Sequence, residues 1–390
     1  MVITTYAQIL AMALSVLTAA ALPPEPSVVV QTSPVSGTWR IRLQDNGNWT
    51  RRDGERWVSI EMRRNDSRNF GMSVPLRELE AAGVRGDGWS GSGIKFRLTR
   101  DAGTIDFQGS FDSGRGTGDF TFAPNPEFVR AMQGRGRTLS TDDVLRLAIH
   151  DVSRDFIQSI EQQGYQNLDI DQLVKMRIHG VDADYIAAFR KAGYDKLSVA
   201  ELIKTRIHGA TPEFVQEMRT AGFEKLSIEE LVKMRIHGVS PAFIREMREL
   251  GFKELSTEDL VKMRIHGVTA AFGREMRDLG FTQLDREDLV KMRIHGVSSS
   301  FVKEMRDLGY KDLDVEDVVK MRIHGVTPQF VRELKELGYS NVREEQLVRF
   351  RIHGVTPEFV RQVRAAGFKD MTPDDLVDFS IHGKRWLSKR

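Results

Sequence analysis

From Gly37 to residue 123 the chain alternates apolar and polar positions. Trp39, Ile41 and Leu43 share one parity, and Thr38, Arg40 and Arg42 share the other. The alternation returns at Val58-Ile60-Met62, Met72-Val74, Phe96-Leu98, Ile105-Phe107 and Phe120-Phe122. A period of two marks a strand with one buried face. Asn46-Gly47, Asp53-Gly54, Asp87-Gly88, Ala102-Gly103 and Ser113-Gly114 supply turns between the strands. About six or seven antiparallel strands over 37–123 predict a small β-sandwich or barrel. Its outward positions, Arg40, Arg42, Arg63, Arg64, Lys95 and Arg97, read as a solvated face balanced by nearby acids. Residues 22–36, rich in Pro, Ser and Val, read as a linker.

Beyond Pro124 the period changes and the sequence repeats itself. All 9 histidines stand 29 residues apart: His150, His179, His208, His237, His266, His295, His324, His353 and His382. Each follows an isoleucine, and all but the first precede a glycine. Such regularity marks a solenoid.

The unit 255–283 shows the mechanics. Ser256 or Thr257 can cap a first helix whose apolar side is Leu260, Val261, Met263 and Ile265, and Gly267 closes it. Thr269 can cap a second helix carrying Phe272, Met276 and Leu279, which Gly280 and Phe281 terminate. Sister units place Pro212, Pro241, Pro328 and Pro357 at the first helical position. Helices of about three turns are unstable alone and must bury their faces on neighbouring units. The predicted fold class is therefore α+β multidomain: the β domain at 37–123, then an α-solenoid of 29-residue helix-turn-helix repeats at 124–390. It starts with a half-unit at Pro126 and ends near His382.

Two columns run along the repeat. An arginine two residues before each histidine (Arg177, Arg206, Arg235, Arg264, Arg293, Arg322, Arg351) falls inside the apolar arc of the first helix. It is absent only at the ends, where Ala148 and Ser380 replace it. This pattern predicts a strut between repeats, with the guanidinium on a carboxylate or a helix-end carbonyl. The other reading is an arginine-lined ligand groove. The histidines His179, His208, His237, His266, His295, His324 and His353 are assigned a structural role, donating to the last carbonyls of their own helices. Metal binding does not fit, because neighbouring columns lie about 10 Å apart and metal–nitrogen bonds are near 2 Å.

The chemistry that remains is sparse. The chain has no cysteine, so disulfides and thiolate metal sites are excluded, and its formal net charge of +2 gives no chain-wide field for nucleic acid. There is no His-Glu-x-x-His, no Gly-x-Ser-x-Gly and no phosphate-binding glycine loop. The chain reads as a non-enzyme, with no catalytic, cofactor-binding or metal residue and no cofactor.

Ile9 to Leu17 is apolar and small residues follow at Ala19 and Ala21, so residues 1–21 read as a signal peptide or membrane anchor. That places the protein in the periplasm, outside the cell, or anchored outside the cytoplasm; membrane contact is expected only through such an anchor.

The binding candidates lie on the solenoid. Arg245, Arg274, Lys303, Arg332 and Arg361 form a basic ridge on the second helices, suited to a protein or peptide partner. Tyr194, Tyr310 and Tyr339 occupy the position of Phe281 and read as staples. End-to-end self-association is also open, and Trp386-Leu387 in the carboxyl tail suit a cap on the last helix.

The stretch Ile352-His353-Gly354-Val355-Thr356-Pro357-Glu358-Phe359-Val360 resembles the hairpin of helix-hairpin-helix domains, whose backbone amides bind phosphate. Here the second hairpin glycine is replaced by Thr, Ser or Asp, and Glu358 adds negative charge. Nucleic acid is therefore the alternative reading, not the first. A likeness covering more of the chain joins Gly37-Thr38-Trp39 with units such as Arg351 to Phe359. Together they resemble the extracytoplasmic carboxyl-terminal regions of some bacterial BlaR-type membrane sensor metallopeptidases. The resemblance implies an envelope sensing or docking role. The zinc motif and membrane spans of those proteins are missing from this sequence, so peptidase activity is not implied.

Overall fold

A computed structural model describes residues 35–42, 50–52, 55–64, 69–75, 77–78 and 90–387. The apolar amino-terminal stretch, most of the linker, Leu43 and the turns at Asn46-Gly47, Asp53-Gly54 and Asp87-Gly88 lie outside the described residues. So do the side chains of Arg42 and of the tail from Lys384. The chain forms two compact units, one up to Ile157 and one from Gln158.

The first unit holds β1 (Val35–Arg42), β2 (Thr50–Arg52), β3 (Glu55–Arg64), β4 (Asn69–Pro75), β5 (Gly91–Arg100), β6 (Gly103–Asp112) and β7 (Arg115–Pro124). Val35 and Ser36, read above as linker, already belong to β1. All seven strands join one antiparallel sheet in the order β2-β3-β1-β7-β6-β5, with β4 on the far side of β3. A two-sheet sandwich is therefore not what forms. Two strands separate β1 from β5, which in a flat sheet is about 14 Å. Yet the rings of Trp39 and Phe96 stand 5.4 Å apart between centroids. The sheet must curl on itself, as a barrel does, and its inward parity makes the core.

Trp39 sets the tightest point of that core. Its indole N–H donates to the Gln108 carbonyl at 3.2 Å, and its ring lies over Gly109. A Cβ on Gly109 would stand 2.2 Å from the Thr117 carbonyl oxygen and 2.7 Å from the indole. Between β6 and β7 the two-residue loop Ser113-Gly114 has positive φ at both positions, the mirror-image turn that matches strand twist.

Three helices follow: α1 (Pro126–Gly134), α2 (Thr141–Ile149) and α3 (Arg154–Gln162). The secondary structure changes from strand to helix at residue 124 as the sequence pattern requires, but the compact unit does not end there. Val144, Leu145, Leu147, Ala148 and Ile149 of α2 are buried, and α2 packs on β4, β6 and β7. Asp101, in the β5–β6 loop, accepts the Arg154 backbone N–H at 2.7 Å and its guanidinium at 2.7 Å, fixing the start of α3. Ala148 stands where later units carry arginine, because this helix packs on strands.

In the second unit the first helices of successive repeats are α4 (Ile170–His179), α6 (Val199–His208), α8 (Ile228–Ile236), α10 (Thr257–Ile265), α12 (Arg286–Ile294), α14 (Val315–Ile323), α16 (Glu344–Ile352) and α18 (Pro373–Leu387). Between them run α5 (Ala183–Lys191), α7 (Pro212–Thr220), α9 (Pro241–Glu249), α11 (Ala270–Asp278), α13 (Ser299–Asp307), α15 (Pro328–Glu336) and α17 (Pro357–Ala365). Each first helix packs on the next first helix and each second helix on the next second helix, giving two rows.

The caps explain why such short helices hold their ends. Ser256 accepts from the Asp259 amide at 3.0 Å, and Asp259 returns a bond to the Ser256 amide at 3.0 Å. The same reciprocal box recurs at Asp169, Ser198, Ser227, Asp285 and Asp314. Gly267, at φ +69°, turns the chain out of α10, and Val268 N–H returns to Met263 O at 2.8 Å. The tyrosines act forward: Tyr194 O–H donates to Leu226 O at 2.6 Å and Tyr310 O–H to Val342 O at 2.8 Å, one unit on. Burial pushes the Tyr310 phenol up to about 12, so it remains a donor at any ordinary pH.

One core position departs from the consensus in two places at once. Thr205 stands where five sister units have methionine, and Tyr185 where sister units have phenylalanine. The Thr205 hydroxyl donates to Leu202 O at 2.8 Å and so accepts from Tyr185 O–H, 3.0 Å away, in a buried pair.

Two outcomes are expected. Gly109→Ala should destabilise the first unit by about 2–3 kcal/mol or abolish its folding, because a backbone oxygen cannot yield to the new methyl. Urea unfolding followed by tryptophan fluorescence reads this directly, since Trp39 and Trp57 lie on β1 and β3 of that unit. Thr205→Met alone should cost about 1–3 kcal/mol by overpacking and by orphaning the phenol, and adding Tyr185→Phe should restore most of it. A double-mutant cycle by urea denaturation should give a coupling of about 1 kcal/mol or more.

Candidate functional site

The site is built on the last turn of each first helix. Successive helical residues lie about 100° apart. Leu260, Val261 and Met263 are buried and define the core arc of α10. Arg264 falls within that arc, whereas Ile265 points roughly 125° from its middle. The helix therefore turns the arginine toward its neighbour and the isoleucine toward solvent. Assigning Ile265 to the apolar side of its helix is thus corrected: its surface is 54% exposed.

The arginines reach back one unit. Arg206 donates to Gly180 O at 2.8 Å, Arg235 to Gly209 O at 3.0 Å, and Arg264 and Arg351 to His237 O and His324 O at 3.4 Å. Each guanidinium also lies over an aromatic ring of the preceding unit: Arg206 over Tyr185 at 4.1 Å, Arg235 over Phe214 at 4.7 Å, Arg264 over Phe243 at 5.0 Å. Arg293, Arg322 and Arg351 stand over Phe272, Phe301 and Phe330 at 5.1, 5.2 and 5.2 Å. Of the two acceptors considered for the strut, these bonds use the helix-end carbonyl. They contact the preceding unit, so the loss of the arginine at Ser380 does not follow from a missing following neighbour. Arg177 holds the same helical position in α4.

This arrangement changes the reading of the histidines. The carbonyl closing α4, α6, α8 and α14 is taken by the next unit's arginine. Among the described residues, no side chain of His179, His208, His237, His266, His295, His324 or His353 donates to a helix-end carbonyl. Their rings are instead half-buried or exposed at the surface beside the isoleucines. His150, in the first unit, is shifted to lower pKa by burial and then by Arg146.

A second strut system escaped the sequence reading. On the second helices, Arg219 donates to Ala192 O at 2.5 Å and Lys335 to Leu308 O at 2.5 Å; Arg190, Arg277 and Arg364 bond Gln163 O, Leu250 O and Leu337 O. The signal was present as a cation three residues before each glycine that ends a second helix. Each bond again ties a helix-end carbonyl to the next unit.

The basic ridge of Arg245, Arg274, Lys303, Arg332 and Arg361 is exposed on the second helices. Glu246, Glu275, Glu304 and Glu333 stand one residue after the first four, and Arg332 is bound to Glu304 of the previous unit. Arg361 pairs with Glu358 at 3.2 Å. The ridge is thus interleaved with acids rather than being a free cationic track. On the sheet, Arg97 is bonded across the strand to Asp106 at 2.5 Å, Arg40 stands opposite Glu61, and Arg64 is turned to Asp142 of α2.

What remains outside this network is the isoleucine row. Ile178, Ile207, Ile236, Ile265, Ile294, Ile323, Ile352 and Ile381 are each 49–54% exposed, and they are the only large hydrophobic side chains so exposed among the described residues. Sequence alone carried a hint: the position is isoleucine in every unit, whereas neighbouring core positions vary among Leu, Val, Ile, Met and Thr. Packing tolerates exchange, so an invariant yet exposed apolar residue is not held by the core.

The hairpin that follows each row residue has part of its amide set filled or removed. Thr269 accepts from Phe272 N–H at 3.1 Å and Thr356 from Phe359 N–H at 3.1 Å, and Pro357 at the next position has no N–H to offer. No cluster of three or more metal-ligating side chains occurs among the described residues. No described helix is long and apolar enough to cross a membrane. No family model matches the chain, and no curated protein matches it.

The two residues of the last turn should separate cleanly in stability. Arg264→Ala is expected to cost about 1–3 kcal/mol, since it orphans a helix-end carbonyl and removes a stacked cation. His266→Ala should stay within about 0.5 kcal/mol, as for an exposed side chain outside the network. Thermal and urea unfolding followed by far-UV circular dichroism measures both.

Proposed function

We propose that this protein is a non-enzymatic scaffold that works outside the cytoplasm and binds a protein or peptide along the surface of its second unit, in sensing or signalling at the cell envelope. The observation that carries the reading is the isoleucine row. Eight isoleucines at one helical position leave about half of their surface open to water, and an exposed apolar surface of this extent marks an interaction site. The row, not the basic ridge, is the favoured contact, because the ridge cations alternate with glutamates.

Charge and capping favour protein over nucleic acid. A phosphate-binding hairpin needs free amides, whereas here cap side chains and prolines fill or remove them. The formal net charge of +2 supplies no general phosphate attraction. The extracytoplasmic placement rests on the apolar stretch Ile9–Leu17 and on the resemblance to sensor-peptidase tails.

A paired pull-down tests the proposal. The immobilised chain and its Ile236→Ser/Ile265→Ser/Ile294→Ser variant are exposed to the same envelope extract. A protein retained by the wild type and at least about tenfold depleted on the variant is expected, given ~1.5–3 kcal/mol per fully buried isoleucine. Identical retention on both would overturn the row as the binding face. Fluorescence anisotropy with labelled DNA provides the second arm: micromolar binding that weakens steeply with salt would replace the protein-scaffold reading with nucleic-acid binding.

A further inference from the structure

We infer that the isoleucine row is occupied by a second copy of this chain, with row lying on row. The inference rests on reading the row as a binding face and goes further by naming what covers it. Three features of the row point to the chain itself.

The first is the step. Each rung belongs to one first helix, and first helices pack directly on one another, so rungs recur at about the 8–10 Å of helix packing. A partner that engages every rung must offer apolar groups at that same step. The row of a second copy has it by construction, and a two-fold axis lets each rung meet a rung of the other chain.

The second is area. Eight isoleucines, each close to half exposed, with the adjoining histidine rings, offer on the order of 700–800 Å². A standard stable interface buries about 800 Å² on each partner. The row alone is thus near the size a specific dimer needs, without recruiting any other surface.

The third is charge. Identical faces repel when they carry net charge, and most of the cations flanking this face are neutralised by acids of the next unit. Three residues before the isoleucines, Lys204 pairs with Glu229 at 2.5 Å, Lys262 with Glu287 at 2.6 Å, Lys291 with Glu316, and Arg349 with Asp374 at 2.8 Å. Every one of these pairs joins consecutive units, so acid and base alternate along the flank of the row. Four of the seven cations at this position are thus paired and Lys175, Lys233 and Lys320 stand among them, which leaves interrupted charge rather than a continuous cationic track for an acidic peptide or an anionic membrane.

Sedimentation velocity of the full chain from about 1 to about 100 µM tests the inference, since a standard interface of this size supports micromolar or tighter affinity. The expected result is a dimer for the wild type and a dissociation constant raised at least tenfold in Ile236→Ser/Ile265→Ser/Ile294→Ser. The circular dichroism spectrum should be unchanged, and the melting temperature of the wild type should rise with protein concentration while that of the variant does not. Arg245→Ser/Arg274→Ser, on the ridge, should dimerise as the wild type does. A wild type that stays monomeric throughout overturns the inference, as does a triple variant that dimerises equally well. If the monomeric wild type still retains an envelope protein that the variant loses, self-pairing falls and the scaffold reading stands. If it instead floats with vesicles of phosphatidylcholine and phosphatidylglycerol through the isoleucines, the occupant is lipid and self-pairing falls. A wild-type dimer that captures nothing else leaves self-pairing in place and removes only the binding of a foreign protein.

Discussion

The last carbonyl of a short helix must find a donor, and in this solenoid the donor comes from the next unit. A nine-residue helix such as α10 leaves carbonyl groups at its end that its own backbone cannot satisfy. Glycine in the left-handed region folds back to satisfy some of them, and the following unit's guanidinium takes another. Arg206 on Gly180 and Arg219 on Ala192 show the same solution on the two helices of one repeat. Because the donor lies one unit away, a helix end is complete only when the next unit is docked. Stability is thereby placed between units rather than inside them, as expected for a chain whose single repeats cannot fold alone.

That constraint also governs where variation is allowed. Between the end units the struts vary only to a residue that still donates, as Lys335 does on Leu308, while the buried positions exchange freely as long as volume and polarity balance. Tyr185 and Thr205 are the clearest case: a hydroxyl enters the core only with a second hydroxyl to meet it. The sheet follows the same logic by other means. Trp39 needs its space, and Gly109 supplies it where any side chain would strike a strand carbonyl.

The last turn of each first helix therefore divides its labour by angle. Met263 faces the core, Arg264 faces the preceding unit, and Ile265 with His266 faces solvent. Folding uses the first two. The third is repeated with equal regularity yet leaves about half of its apolar surface outside the fold, which is why the isoleucine row is the surface on which the functional proposals rest. The histidines, most conspicuous in the sequence, mark the edge of that row and do not close their helices.

Much of this molecule was legible before any coordinates. The alternation from Gly37, the 29-residue spacing of histidines, the capping serines and threonines, and the Gly-Phe stops are local signals, and local backbone chemistry determines them. The arginine column could be read as a strut because it sits within an apolar arc. What sequence could not supply was the partner of each group. Whether His237 or Arg264 bonds the carbonyl that ends a helix depends on which nitrogen lies within reach, and that is decided by how one unit docks on the next. The same is true of Ile265, whose apolar character places it in the core by composition and on the surface by angle. Periodicity determined the elements and their ends. Only the packing of unit on unit decided which side chains are spent on the fold and which are left for a partner, because burial is a property of neighbours and not of the residue.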